Sequence, residues 1–436
     1  MEWDSLKTIR HAHFMGIGGI GMSALAQLFA HEGITVSGSD RDVSPTTAML
    51  TKKGIPVNRG HAAQNVPQDC DVLIYSDAVS PDNPERAEAT RRAIAQFSYF
   101  QMLGKVSAGK RTVAVAGTHG KTTTTGMLAK ILIDAGVEPT VVVGSLVKDL
   151  GGNYVAGHSD WFVVEACEYH DHLLELSPEI LVITNLEWDH TDYFPSLAAL
   201  QETFRKAISR VPSQGVIITN PKSPHITPLL GFASARIVDY TREPAYKLQL
   251  PGGFNQDNAR ATAAAARAVV PNITDEAIAT ALQNFHGTWR RFEYKGKTAN
   301  GADVYDDYAH HPTAIRETLK TLRAQTSGKV YVAFHPHLYS RTRDLFEDFA
   351  ASFTDADRVL IAPIYAAREE DDGSISSEKL AAAVRAHGVQ AQANSFGEIE
   401  RVLASVPRAD DAIMTMGAGD IYKVADALVT PPHELR

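Results

Sequence analysis

Seven residues, Gly117-Thr118-His119-Gly120-Lys121-Thr122-Thr123, stand directly after the apolar run Thr112-Val113-Ala114-Val115-Ala116. A β-branched strand that empties into Gly-x-x-Gly-Lys-Thr and then into helix-forming residues is an arrangement that grips nucleotide phosphates. The glycines let backbone N–H groups turn inward, and the helix that follows aims its positive end at the anion. Lys121 is placed to neutralise the terminal phosphates and the Thr122 hydroxyl to ligate Mg2+. Val115 stands where the full pattern has its leading glycine. The alternative is a plain glycine turn with an incidental lysine. The order of strand, loop, lysine, hydroxyl and helix argues against it.

A bound Mg2+ needs further oxygen or imidazole ligands at neighbouring strand ends. The run Trp161-Phe162-Val163-Val164-Glu165 finishes in a carboxylate, and Ile180-Leu181-Val182-Ile183-Thr184 leads on to Asp189-His190. Adjacent parallel strands place Glu165 and His190 on one rim with Lys121; the alternative is a surface carboxylate and a turn histidine. A second loop, Gly16, Gly18 and Gly21, fits G-x-G-x-x-G, with Asp40 nineteen residues further on at the end of a strand through Ser39. Alone it would mark a dinucleotide site and an NAD-dependent dehydrogenase. The same turn serves any diphosphate. Beside a Mg-nucleotide loop it points to a nucleotide-linked substrate on the first domain and ATP on the second, hence to group activation and not hydride transfer.

The elements that must position these groups follow from length and pattern. A chain of 436 residues suggests three domains of roughly 150 residues each. Apolar runs recur at 11–15, 35–38, 71–75, 112–116, 161–165, 180–184, 330–334, 358–362 and 412–416, with helical stretches between them and an Ala-rich helix near 259–269. The fold class expected is α/β throughout. A Rossmann-like domain spans 1–107, a central P-loop ATPase domain with a parallel sheet 108–287, and a Rossmann-like C-terminal domain 288–436. Ligands of such sheets sit at the carboxyl edge, where the glycine turns are. The net charge of −9 argues against a broad nucleic-acid face. Two cysteines, no signal pattern and no apolar run of membrane length make the cytoplasm the expected compartment. No nucleic-acid or membrane partner is expected, and the chain is expected to be a monomer or weak homodimer.

Eight motifs occur in order: Gly-Ile-Gly-Gly-Ile-Gly-Met-Ser, Gly-Thr-His-Gly-Lys-Thr-Thr, Glu-Ala-Cys-Glu-Tyr, Asn-Leu-Glu-Trp-Asp-His-Thr-Asp, Arg-Arg-Phe-Glu, Asp-Asp-Tyr-Ala-His-His-Pro, His-Pro-His-Leu-Tyr-Ser-Arg-Thr and Met-Gly-Ala-Gly-Asp-Ile. Together, from about residue 11 to 423, they resemble the ATP-dependent Mur ligase family of peptidoglycan synthesis, in its alanine-adding branch. The resemblance implies a UDP-sugar domain, a central ATPase and a mobile C-terminal domain. It also implies an acyl-phosphate route joining L-alanine to the carboxylate of UDP-N-acetylmuramate, with ATP and Mg2+ required.

By the same resemblance Lys121 stabilises the migrating phosphoryl group, while Thr122, Glu165 and His190 hold Mg2+. Gly117 to Thr123 cradle ATP, Asn255 and Asn258 line its adenine side, Arg290 reaches its phosphates and Asp307 lies near its ribose. Gly18, Gly19, Gly21, Ser39 and Asp40 face the UDP moiety, and Tyr308, His310 and Arg341 the incoming amino acid. Structural alternatives stand beside these roles. Asn255 and Asn258 are also suited to cap the Ala-rich helix, His310-His311-Pro312 to start a helix, and Arg291 to pair with a surface acid. Some relatives carry a second arginine where Leu338 stands, which leaves Arg341 as the principal partner for the amino-acid carboxylate. The rival readings are a tripeptide-recycling ligase, an NAD-dependent oxidoreductase and a nucleotide-binding regulator without turnover.

Overall fold

Each apolar run expected to be a strand forms one and is buried along nearly its whole length, as inner strands of a parallel sheet covered on both faces are. A computed structural model describes residues 8–429. Strands β1 (His11–Met15), β2 (Thr35–Asp40), β3 (Val57–Arg59), β4 (Val72–Tyr75) and β5 (Ala95–Ser98) make an all-parallel sheet in the order β3-β2-β1-β4-β5. The order reverses between β1 and β4, where open parallel sheets leave a crevice for ligands. The first glycine loop follows β1 directly.

Seven strands form the central sheet: β6 (Arg111–Ala116), β7 (Thr140–Val147), β8 (Gly152–Val155), β9 (Trp161–Glu165), β10 (Ile180–Ile183), β11 (Val216–Thr219) and β12 (Arg236–Asp239). Their order is β12-β11-β10-β6-β9-β7-β8, parallel except for the β7–β8 pair. Strand β6 thus lies between β9 and β10, and the loop at its carboxyl end is flanked by both. Register sets Val115 opposite Glu165.

The third sheet holds β13 (Glu293–Lys297), β14 (Asp303–Asp307), β15 (Val330–Phe334), β16 (Arg358–Ile361), β17 (Gln390–Ala393) and β18 (Ala412–Met416). Its order is β13-β14-β18-β15-β16-β17, and only β13–β14 is antiparallel. Alternation along β15 feeds two cores. Val330, Val332 and Phe334 pack with Ile315, Leu319 and Leu322 on one face, while Tyr331 and Ala333 pack with Ile399 and Leu403 on the other, as the two-residue period of a strand requires.

The chain divides into two compact units. The first comprises the chain through Glu187 with Ala198–Lys247 and Asp257–His286, and holds the first two sheets. The second comprises Trp188–Leu197, Leu248–Gln256 and the chain from Gly287, and holds the third sheet. Among the described residues no helix is long and apolar enough to cross a membrane.

Candidate active site

Strand β6 delivers the chain at Ala116 into the loop Gly117–Gly120, and the helix Lys121–Asp134 starts at once. Gly120 is its N-cap, with φ +80° and ψ −5°. A Cβ there would collide with the Asn258 carboxamide oxygen, so both backbone and space demand glycine. Residues after β10 hold the loop from behind. The His119 N–H donates to Asn185 Oδ1 at 2.8 Å, the Thr184 hydroxyl to the His119 carbonyl at 2.6 Å, and the Thr118 hydroxyl to the Glu187 carbonyl at 3.0 Å. Thr122 and Thr123 are buried in the first helical turn.

Two carboxylates meet the loop from the end of β9. The Thr122 hydroxyl donates to Glu165 Oε1 at 3.0 Å, while Glu165 Oε2 accepts from the Gly144 N–H at 2.8 Å. Lys121 Nζ lies 3.0 Å from both oxygens of Glu168 and donates to the Gly117 carbonyl at 2.5 Å. Burial works against this ammonium, but the Glu168 charge on it, with Cys167 and Glu165 near, holds its pKa above the ordinary lysine value. Lys121, Thr122 and Glu165 therefore converge as their spacing led one to expect. Glu168 is an addition: sequence reasoning passed over it, although it is the second acid of Glu165-Ala166-Cys167-Glu168.

The first glycine loop is closed on itself. The Gly18 N–H donates to Asp40 Oδ2 at 2.8 Å, and the Gly16 and Ile17 N–H groups donate to the Ser39 carbonyl. Gly19 caps the helix Ile20–His31 without a side chain. Gly21 lies under the ring of Tyr99; a Cβ there would sit 2.6 Å from Tyr99 Cζ. The Ser39 side chain is fully buried and its hydroxyl donates to Glu85 Oε2 at 2.7 Å, so it meets a polar network inside the domain.

The remaining expected residues, Asn258 apart, belong to the second unit. Arg290 is buried, and its guanidinium donates to Asp306 at 2.7 Å, to the Gly419 carbonyl at 2.9 Å and to the Gly417 carbonyl at 2.6 Å. Three of its five N–H donors are thus engaged inside the domain. Arg291 lies over the Tyr308 ring at 5.0 Å, with its charge acting on Asp307. Both Asp307 oxygens are engaged at 2.7 Å, by the Phe292 and Ala309 N–H groups. Burial pushes its pKa up to about 6 against the pull of Arg291.

Arg341 is also buried, donating to Asp189 Oδ1 at 2.7 Å, with Nη1 3.1 Å from His337 Nδ1. Burial opposes the charge on Asp189, but Arg341 holds its carboxyl well below the usual range. Burial and the same guanidinium keep His310 and His337 neutral, the latter lowered to about 3. His310 bonds the Tyr308 carbonyl at 2.9 Å, and the helix Pro312–Gln325 is capped by His311, as its Pro312 suggested. Asn255 and Asn258 are not caps: the helix Gly253–Val269 begins before both. Asn255 donates to the Pro251 carbonyl at 2.7 Å. His190, at φ +53°, is carried by the second unit on Trp188–Leu197.

Comparison with known proteins gives three family matches: Mur ligase family, catalytic domain, over residues 11–111; Mur ligase middle domain over 115–245; and Mur ligase, glutamate ligase domain, over 290–419. A UDP-N-acetylmuramate–L-alanine ligase of Clostridium botulinum is 37% identical, covering 98% of this chain and 100% of its own. The chain belongs to the Mur ligase family. Among solved Mur ligases, the UDP-N-acetylmuramate-alanine ligase of Thermotoga maritima matches with a TM-score of 0.77 at 28% identity, covering 96% of this chain and 98% of that one. A murein peptide ligase of Psychrobacter arcticus shares the fold, with a TM-score of 0.72 at 24% identity over the same shares.

Mur ligases are ATP-dependent, and the geometry suits a hard divalent cation beside the nucleotide. Octahedral oxygen ligands at 2.0–2.1 Å lie roughly 2.9 Å apart, and the Thr122 hydroxyl and Glu165 carboxylate are 3.0 Å apart. Two expected site residues, His190 and Arg290, are among the nine non-glycine residues with positive φ in the described part of the chain. Backbone in that region costs about 1–3 kcal/mol per residue and concentrates where function requires it.

Proposed function

We propose that this chain joins L-alanine to the lactyl carboxylate of UDP-N-acetylmuramate, converting ATP to ADP and phosphate, in peptidoglycan synthesis. The carrying observation is the convergence of Lys121, Thr122 and Glu165 at the end of β6, in a chain aligned throughout with alanine ligases of that name. An NAD-dependent oxidoreductase would leave that rim without a task.

A free carboxylate is a poor acyl donor, so it must first be activated. A carboxylate oxygen of the sugar attacks the γ-phosphorus of ATP, the bond to the β-phosphate bridging oxygen breaks, and ADP leaves. The alanine nitrogen then attacks the acyl carbon; the C–N bond forms, phosphate departs with the C–O electron pair, and the amine sheds a proton. Catalysis of this kind rests on positioning and on neutralising charge. Lys121 exchanges the Glu168 carboxylate for the migrating phosphoryl oxygens. Thr122 and Glu165 would hold Mg2+, which withdraws charge from phosphate oxygens when bound.

Asn258 borders the loop at Gly120, and Asn255 and Asp307 serve the nucleoside end of ATP. Gly18, Gly19, Gly21 and Asp40 receive the UDP moiety, with Asp40 yielding the Gly18 N–H to the diphosphate. Arg341, near neutral His310 and His337, receives the alanine carboxylate, and Tyr308 lies over His310. Arg290 acts at a distance, fixing the turn that carries Arg291.

The test is ADP release from UDP-N-acetylmuramate and Mg-ATP with L-alanine, glycine, L-serine or the tripeptide added singly. Release that depends on L-alanine is expected. Release with the tripeptide alone would assign the chain to the recycling ligases, and none with any amine would reject ligation.

A further inference from the structure

The ring of Tyr99 stands where the two ligand loops of the first unit approach one another. On one side it covers Gly21, whose added Cβ would lie 2.7 Å from Tyr99 Oη. On the other, the Glu165 and Cys167 side chains are near enough to act on its phenol. The side chain is half-buried, and its hydroxyl has no hydrogen-bond partner among the described residues. A phenol is protonated at neutral pH and serves as a hydrogen-bond donor.

The position is held from several directions. Tyr99 opens the helix Tyr99–Ala108, which Ser98 and Gln101 cap reciprocally. The adjacent Phe100 stacks on His172 with centroids 3.5 Å apart and planes 12° from parallel, and His172 Nε2 lies 3.0 Å from Asp77 Oδ2. These contacts tie the ring to the loop after β4 and to the segment after Glu168. A donor held this firmly against Gly21, on a half-buried ring, is placed to meet a ligand that runs along the loop.

We propose that Tyr99 is a substrate-binding residue whose phenol donates a hydrogen bond to an anionic oxygen of the sugar nucleotide. The proposal rests on the ligase reading above, in which that substrate runs from Gly18–Gly21 towards Thr122 and Glu165. Gly21 is glycine because the ring must lie against its Cα for the hydroxyl to reach this path.

Tyr99→Phe removes one oxygen and keeps the ring, so its melting temperature should match that of the parent chain. A hydrogen bond to a charged acceptor is worth about tenfold or more in affinity. The KM for UDP-N-acetylmuramate should rise by at least that factor, with KM for ATP and L-alanine within about twofold of the parent. Calorimetric titration with UDP and with UDP-N-acetylmuramate locates the acceptor. Weaker binding of both places it on the diphosphate, and weaker binding of the muramate alone on the acid; either supports the proposal. Equal affinity of the two proteins for both ligands overturns it while alanine-dependent ADP release persists. Failure of the parent chain to bind the muramate overturns the proposal together with the ligase reading.

Discussion

Removing the ammonium of Lys121 would leave Glu168, which is 1% exposed on its side chain, a buried charge without the cation that meets both its oxygens. Such a charge costs about 3–5 kcal/mol, so Lys121→Met should lower the melting temperature as well as turnover. Turnover should fall by about a thousandfold or more, as for loss of a preorganised transition-state donor. The double variant Lys121→Met/Glu168→Gln should regain stability but not turnover. Paired melting and ADP-release assays separate the two effects, and a single variant that melts like the parent would refute the pairing. Arg341 carries a comparable obligation to Asp189. Lysine in its place keeps the charge but loses the planar fork. Arg341→Lys should therefore raise KM for L-alanine about tenfold while KM for ATP stays within about twofold. An unchanged alanine KM in steady-state kinetics would remove Arg341 from that role.

At the scale of elements, the phosphate loop depends on a helix that starts without a capping side chain. Gly120 supplies the left-handed backbone there and leaves room for Asn258 on the helix Gly253–Val269. Gly120→Ala meets both constraints at once. It should lower stability by about 1–3 kcal/mol, and the rise in melting temperature on adding Mg-ATP should vanish. A thermal-shift titration reads both, and a variant still stabilised by Mg-ATP would show that the loop does not hold the nucleotide. Local pattern also explains which strands were legible. The nine apolar runs read from sequence are mostly inner strands, whereas β3, β13 and β17 are short, polar edge strands. Edge strands of that composition are made by their neighbours and not by their own propensity.

For the molecule as a whole, the second unit carries an acid-sensitive interior. His335 Nδ1 has no hydrogen-bond partner, its ring meets Tyr365 and Phe396 edge-on, and burial lowers its pKa from 6.5 to about 4. Below pH 6.5 the unfolded chain takes up a proton that the folded chain refuses until about pH 4. Stability present above 6.5 is therefore lost as the pH falls through that window, by at most about 3 kcal/mol. Asp307, raised to about 6, works in the opposite sense over part of the same range. His335→Gln should flatten the decline in denaturant-measured stability between pH 6.5 and 4; an unaltered slope would mean that His335 does not titrate there.

What could be read without coordinates was what the chain holds contiguously. A β-branched run, two glycines, a lysine and a hydroxyl in immediate succession leave few other uses, and Lys121, Thr122 and Glu165 took the expected places. The α/β class followed in the same way, from apolar runs separated by helical stretches. Tertiary structure decided what depends on partners far along the chain: Glu168 on Lys121 across 47 positions, Asp189 on Arg341 across 152, and Tyr99 over Gly21. It also turned the Ser39 hydroxyl and the Arg290 guanidinium towards acceptors inside the fold, which their residue types alone did not show. Spacing reports which groups a local backbone can present, whereas burial and distant acceptors determine which of them remain available, and those are settled only when the sheets close.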